Sequence, residues 1–523
     1  TMGLVGTNGA NANATCTANV GAGKAANSSG LTLGNGVSGT AGTASNYTFT
    51  GGTHTFEVTQ RVLNSSGSKT YDGNTNAVAS DVTLSNLAGG ETLSHSGTAT
   101  LGSKNVGSST ISNLSGISIA NGTGAASNYT LTGGTHNFTV NKRVVNVSGT
   151  RLYNALNTAV ASDLSTMTNL VGSETLVLSN SGTLANANVG SNKTVTIGSL
   201  SLGNGSNGGL AANYTLTGGT HQLTVNQRPL NATLARQYDA TTTAAGSTLS
   251  SFDALQGGET LTMTGSGTAA SANVANGIAM SSNGNLALAD GTGAASNYSL
   301  NSTVINIAKR VLNSSGSKTY DANTNALAGA ITLSNLVSGE ALNHSGTATT
   351  SSANAGSYTI SNLSGISIAD GSGGAASNYT LTGGTHNFTV NRRPVGVSGT
   401  RLYDATTNAV ASDLSTHANL VGSQTLTLSG TGTIASKDVG SNKTVSVGTL
   451  ALGNGSNGGL AGNYTLTGGT HQLTVNQRPL NATLARQYDG TTASAGSTLS
   501  SFDALQGGET LTMTGSGTAA SAN

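Results

Sequence analysis

The stretch SKTYDGNTNA, residues 68–77, places an ammonium (Lys69), a phenol (Tyr71) and a carboxylate (Asp72) within four positions. Such a set is either the working part of a site or a pin that holds a fold together. The cation stands two residues before the ring at Lys69, Arg151, Arg236, Lys318, Arg401 and Arg486, so on a strand the two share a face and the aliphatic stem can lie along the ring. Asp72, Asp239, Asp321, Asp404 and Asp489 follow the tyrosine, but Asn154 takes that place once. Both types accept a backbone N–H in an Asx turn and only Asp could act as a general base, so the exchange favours a turn over chemistry.

Other chemistry-bearing residues read the same way. His54, His136, His221, His386 and His471 follow Gly-Gly-Thr with no second ligand type at metal spacing, and Thr303 holds the place once. His95 and His344 occupy a position that is Leu178, Met263 and Leu428 elsewhere, which marks it as inward-facing. Glu91, Glu174, Glu259, Glu340 and Glu509 recur after Gly or Ser, yet Gln424 stands at the same place, which argues against general acid work. Neither the EF-hand spacing nor the glycine-rich aspartate nonapeptide occurs, so no calcium site is expected. The expectation is no catalytic residue, no cofactor and no metal, with a structural signature comprising Lys69 and the Tyr and Asp residues of the repeat.

These residues are positioned by a repeat. The motif tyrosine returns as Tyr71, Tyr153, Tyr238, Tyr320, Tyr403 and Tyr488, at intervals of 82 to 85 residues. An Asn-Tyr pair keeps step at Tyr47, Tyr129, Tyr214, Tyr298, Tyr379 and Tyr464, so two places in one unit hold 12 of the 13 tyrosines. A longer period near 250 residues overlies this, since residues 230–273 reappear almost unaltered at 480–523. The boundaries read as partial repeat 1–61, repeats 62–143, 144–228, 229–310, 311–393 and 394–478, and partial repeat 479–523, as in a window cut from a longer array.

Within a unit the apolar residues alternate with period two, as in THNFTVN, where Phe138 and Val140 share a face. No helical stripe appears, and Gly, Ser, Thr and Asn are poor helix formers. The chain therefore reads as all-β, about six short strands per unit, in small β-sandwich or β-grasp-like modules of 82 to 85 residues forming an elongated rod. A continuous β-solenoid is the alternative, disfavoured because no subperiod of 20 to 30 residues appears. Modules meet through two or three residues, as in NKRVVNV, and Pro229, Pro394 and Pro479 stiffen three such joints. Each module is expected to fold around its own core and to touch its neighbours only at the joint.

Composition narrows the function. The chain has 75 Gly in 523 residues, 7% charged residues, no Trp, and 20 Lys+Arg against 19 Asp+Glu. There is no basic stripe to neutralise phosphates, so nucleic acid is not an expected partner. The single Cys16 closes no intrachain disulfide, and no apolar run is long enough to span a membrane as a helix.

The ordered series KTYDGNT, GGETL, KNVG, GISIANG, ASNYTL and VNKR resembles the YDG and related MBG-type repeats of large filamentous-haemagglutinin-like bacterial adhesins, exported by two-partner secretion or as autotransporter-like surface proteins. The match runs through essentially the whole chain and departs locally, as at RLYNALN (151–157), which lacks the Asp and Gly. The resemblance implies a non-enzymatic, extracellular or outer-surface stalk. Its partners would be further repeats of the same chain, other copies of the fibre, and a host or bacterial surface receptor outside this window. A self-assembling extracellular filament or biofilm-matrix protein is the alternative.

Overall fold

A computed structural model describes residues 19–25, 32–35, 42–494 and 498–521; Cys16 and parts of the first partial repeat lie outside them. The described chain is all-β, with helical structure limited to three-residue 3₁₀ turns, and no helix is long and apolar enough to cross a membrane.

The module at 62–143 shows how the pattern becomes a fold. Its strands are β1 (Arg61–Val62), β2 (Asn64–Thr70), β3 (Asn76–Val78), β4 (Val82–Ser85), β5 (Leu93–Leu101), β6 (Gly107–Asn113), β7 (Ile117–Asn121), β8 (Tyr129–Thr130) and β9 (His136–Asn141). Nine strands stand where about six were expected, because ladders of two or three residues leave too little alternation to read in sequence. The order across the sheet is β3-β5-β6-β9-β2-β4, with β7 added alongside β5. Antiparallel neighbours flank one central parallel pair, β2 and β9, in register from Ser65 opposite His136 to Thr70 opposite Asn141. First and last long strands lying parallel at the centre is the β-grasp-like order. Each module closes on itself by this pairing, unlike a coil of a continuous solenoid.

Period-two burial selects the register. Phe138 and Val140 of β9, each 1% exposed, face the core with Tyr71, Val82, Ala99 and Ile111. A one-residue slip would turn that row to solvent.

The sheet curls at one residue. Leu93–Gly97 of β5 pairs with β7, while Thr98–Leu101 pairs with β3 and β6. Gly97 sits at the changeover with φ +100°, and a Cβ there would lie 1.9 Å from the Gly116 carbonyl oxygen. The same place holds Asn180 (φ 63°), Gly265 (φ 78°), Gly346 (φ 99°) and Gly430 (φ 88°), all in the left-handed half of backbone space.

The joints are strands rather than spacers. Arg143–Val144 pairs in parallel with Tyr214–Thr215, and Arg393–Pro394 with Tyr464–Thr465, so each joint belongs to the ladder of the module it leads into.

Packing does not stop at module boundaries, which corrects the expectation of separate cores. One buried cluster runs from Tyr71 through the second module to Leu261 and Tyr298, and another from Tyr320 to Val475. The backbone correspondingly divides into two compact units. One is Thr1–Asn231 with Phe252–Thr262 and Leu288–Asn301; the other is Ala232–Ser251, Met263–Ala287 and Ser302–Asn523. The dividing line runs through the third repeat, not between repeats.

Gly346→Ala should lower the stability of its module by at least about 2 kcal/mol, since an L side chain at positive φ adds strain and the new methyl meets the Gly365 carbonyl 1.9 Å away. Urea denaturation followed by circular dichroism measures the loss.

Candidate functional site

The Tyr-Asp-Gly turn follows β2. Asp72 Oδ1 accepts the Asn74 amide at 3.2 Å, and the same Asx turn forms at Asp239, Asp321, Asp404 and Asp489. Asn154 makes it too, receiving the Leu156 amide at 3.1 Å, so the carboxylate is dispensable for the turn. The next residue is left-handed in every copy: Gly73 and Gly490, or Ala155, Ala240, Ala322 and Ala405 at φ 62° to 64°.

The charged head of the cation goes to the turn. Lys69 Nζ pairs with Asp72 at 2.9 Å and donates to the Asn74 and Asn76 carbonyls at 2.9 and 2.6 Å, closing the turn; Lys318 repeats this around Asp321. Arg236 and Arg401 likewise pair with Asp239 and Asp404. An ammonium with several oxygens around it gains more from charge-assisted bonds than from a ring face. Burial pushes the Asp72 pKa up, but Lys69 and the Asn74 amide outweigh it and the net shift is downward.

The tyrosines meet at a carboxylate from the following module. Tyr71 Oη donates to Glu174 Oε1 at 2.7 Å and Tyr214 Oη to Oε2 at 2.6 Å, so one carboxylate joins two repeats. The rings stack edge to face, centroids 5.4 Å apart and planes at 78°. The Val171 amide donates to Tyr214 Oη at 3.0 Å, completing that hydroxyl.

Two further contacts brace the junction. Asn213, of the Asn-Tyr pair and 1% exposed, accepts the Val106 amide at 2.9 Å and donates to Asn105 Oδ1 at 3.0 Å. Arg143 donates to the Tyr71 carbonyl and, through two nitrogens at 2.7 Å, to Asn169.

The clasp recurs down the chain. Tyr153 and Tyr298 hold Glu259, and Tyr238 and Tyr379 hold Glu340. At the next junction Gln424 replaces the acid: its amide donates to Tyr320 Oη at 3.0 Å while its oxygen accepts from Tyr464. Asn297, Asn378 and Asn463 repeat the work of Asn213. Tyr403 donates to Glu509, which Lys437 also pairs at 2.7 Å. Tyr129 donates to Glu91 of its own module, and Tyr488 is exposed, 76% accessible.

The YDG domain family matches residues 57–136, 139–222, 221–305, 308–386 and 389–474. The chain belongs to this family. No curated protein matches it.

In this YDG array the histidines are staples. His136 bonds the Leu131 carbonyl through Nε2 at 2.8 Å and Ser65 Oγ through Nδ1 at 2.9 Å, and His95 reaches the Ala79 and Val82 carbonyls. Val147 replaces Ser65 in the second repeat, leaving His221 Nδ1 buried with no hydrogen-bond partner. Among the described residues no three His, Cys, Asp or Glu gather where they could hold a metal ion.

The sequence-predicted aspartates thus sit in turns and the tyrosines in clasps between repeats, except Tyr129, which bonds its own module, and the exposed Tyr488. The expectation that a module touches its neighbours only at the joint is corrected, because Tyr71, Tyr153, Tyr238, Tyr320 and Tyr403 bond the next module's Glu or Gln. The acceptor was missed, and a signal existed: a buried phenol needs a partner, and a Glu or Gln keeps step with both tyrosine series.

Two outcomes follow from this geometry. Glu174→Ala, which strands two buried phenols, should cost roughly 2–5 kcal/mol, whereas Glu174→Gln, already built at Gln424, should cost under about 1 kcal/mol; denaturant titration of the full chain separates them. The second concerns alkali. Burial, then the Glu174 hydrogen bond and charge, pushes Tyr71 up to about 12, and burial with Glu174 does the same to Tyr214. A phenol whose folded pKa exceeds its unfolded value of 10.0 contributes stability that is whole below pH 10 and lost as pH climbs through about 12. Thermal melts should fall across that window, and Glu174→Gln, which removes part of the upward push, should make the fall smaller and end it at lower pH.

Proposed function

We propose that the array is the non-enzymatic fibrous stalk of a secreted or cell-surface bacterial adhesin, projecting a binding region by stacking β modules. The observation that carries this reading is the use made of the repeat's reactive side chains. Phenols and carboxylates are bonded to each other across junctions, aspartates and lysines close turns, and histidines hold carbonyls. Groups committed in this way are structural, and a chain that repeats them lengthens without gaining chemistry.

The clasp suits a stalk in particular. A joint of two or three residues fixes spacing but leaves bending free, and a bridge from Tyr71 to Glu174 beside it removes much of that freedom. Because the link is remade at successive junctions, stiffness would be a property of the array and not of one module.

Sedimentation and small-angle scattering of the full chain should give an elongated monomer at high concentration. Concentration-dependent growth into fibres would favour a self-assembling filament instead, and a compact monomer would refute the stalk.

A further inference from the structure

We infer that each module is a load-bearing clamp, built so that tension along the chain must shear the central parallel pair rather than peel it. The inference stands on strand direction and register and does not rest on the stalk reading.

Tension enters the 62–143 module through β1, which pairs in parallel with β8, passes to the start of β2 and leaves at the end of β9, just before the joint Arg143–Val144. The two strands are adjacent and parallel, in register over six residue pairs. Opposed forces on opposite ends of two parallel strands slide them past one another. The ladder bonds run across the slide, so they are loaded together and yield together. Were the strands antiparallel neighbours joined by a hairpin, the same pull would open them one bond at a time.

The clamp is reinforced at both ends. At the entry end the Ser65 amide donates to the Thr135 carbonyl at 3.0 Å, the Thr135 amide to Asn64 Oδ1 at 2.9 Å, and Ser65 Oγ meets His136 Nδ1. At the exit end the Tyr71 amide donates to the Asn141 carbonyl at 2.9 Å. Tyr71 is the residue whose phenol grips the next module, so the clasp is fastened beside the last rung of the clamp. Phe138 and Val140, buried beneath the pair, would have to be dragged through the core for the strands to slide.

The arrangement recurs with six pairs each between 146–152 and 221–226, 313–319 and 386–391, and 396–402 and 471–476. Exit rungs equivalent to that of Tyr71 are made by Tyr153, Tyr320 and Tyr403 to Asn226, Asn391 and Asn476.

Single-molecule force spectroscopy of the full chain tests this by changing only the direction of pull. Held by its two ends, the chain should give successive unfolding events, each releasing about 250 Å of contour. In a Cys16→Ser background, thiols introduced by Thr59→Cys and Thr132→Cys lie near the entry ends of both β2 and β9, so handles there first part the two-residue β1–β8 ladder and then peel the β2–β9 pair. Peeling should part the 62–143 module at no more than about half the end-to-end force, because bonds then break singly. Equal force in the two directions, or a stronger peel, would overturn the clamp. Neither result bears on the hydrodynamic test, so failure of the clamp and failure of the stalk reading remain distinguishable.

Discussion

A buried phenol must donate its proton to something, and this chain satisfies that constraint with an acceptor from the neighbouring repeat. Tyr71 and Tyr214 are nearly inaccessible to water, and without Glu174 each phenol proton would go unbonded at a cost of about 1–3 kcal/mol. The demand for an acceptor makes consecutive modules interdependent. It explains why one apolar cluster runs through successive repeats and why the boundary between compact units falls inside a repeat. A repeat here is a unit of sequence and strand pairing, whereas the unit of packing is a junction.

The exchange of Glu for Gln at one junction separates the geometry of the clasp from its charge. Gln424 sits between Tyr320 and Tyr464, whose rings keep an edge-to-face angle of 78°, the angle found where Glu174 lies between Tyr71 and Tyr214. What the site requires is two polar atoms on a planar group of this length. The charge adds strength to each hydrogen bond, as expected for an ionised acceptor, without setting the shape. The neutral version offers both a donor and an acceptor, so Tyr320 can accept where Tyr71 must donate.

Much of the fold was legible in the sequence because it rests on local rules. Period-two burial, the repeat length and the Asx turn at Asp72 and Asn154 each depend on residues close together, and all appear in the structure. Strand pairing was not legible: β2 and β9 are separated by most of a module, and nothing in either strand states that they run parallel. The cation misled for a related reason. Spacing puts Lys69 and Tyr71 on one face, but the turn supplies three carbonyl and carboxylate oxygens to the ammonium, and these outweigh a ring. The clasp spans 103 residues from Tyr71 to Glu174, and only the demand of a buried hydroxyl for a partner links the two series.

Position within the module gives the clasp its mechanical sense. Tyr71 has two commitments: its amide closes the last rung between β2 and β9, and its phenol holds the following repeat. Arg143, just past the Asn141 end of β9, binds the Tyr71 carbonyl as well as Asn169 in that repeat. Backbone ladder, joint and neighbour are therefore tied at a single residue. Loosening a junction would weaken the end of the clamp it abuts, and shearing a clamp would free the tyrosine that secures the next module. Coupling of this kind would make cooperativity along the array a consequence of where one aromatic residue sits, since a module that loses its exit rung loosens the Tyr71 phenol that its neighbour's Glu174 holds together with Tyr214.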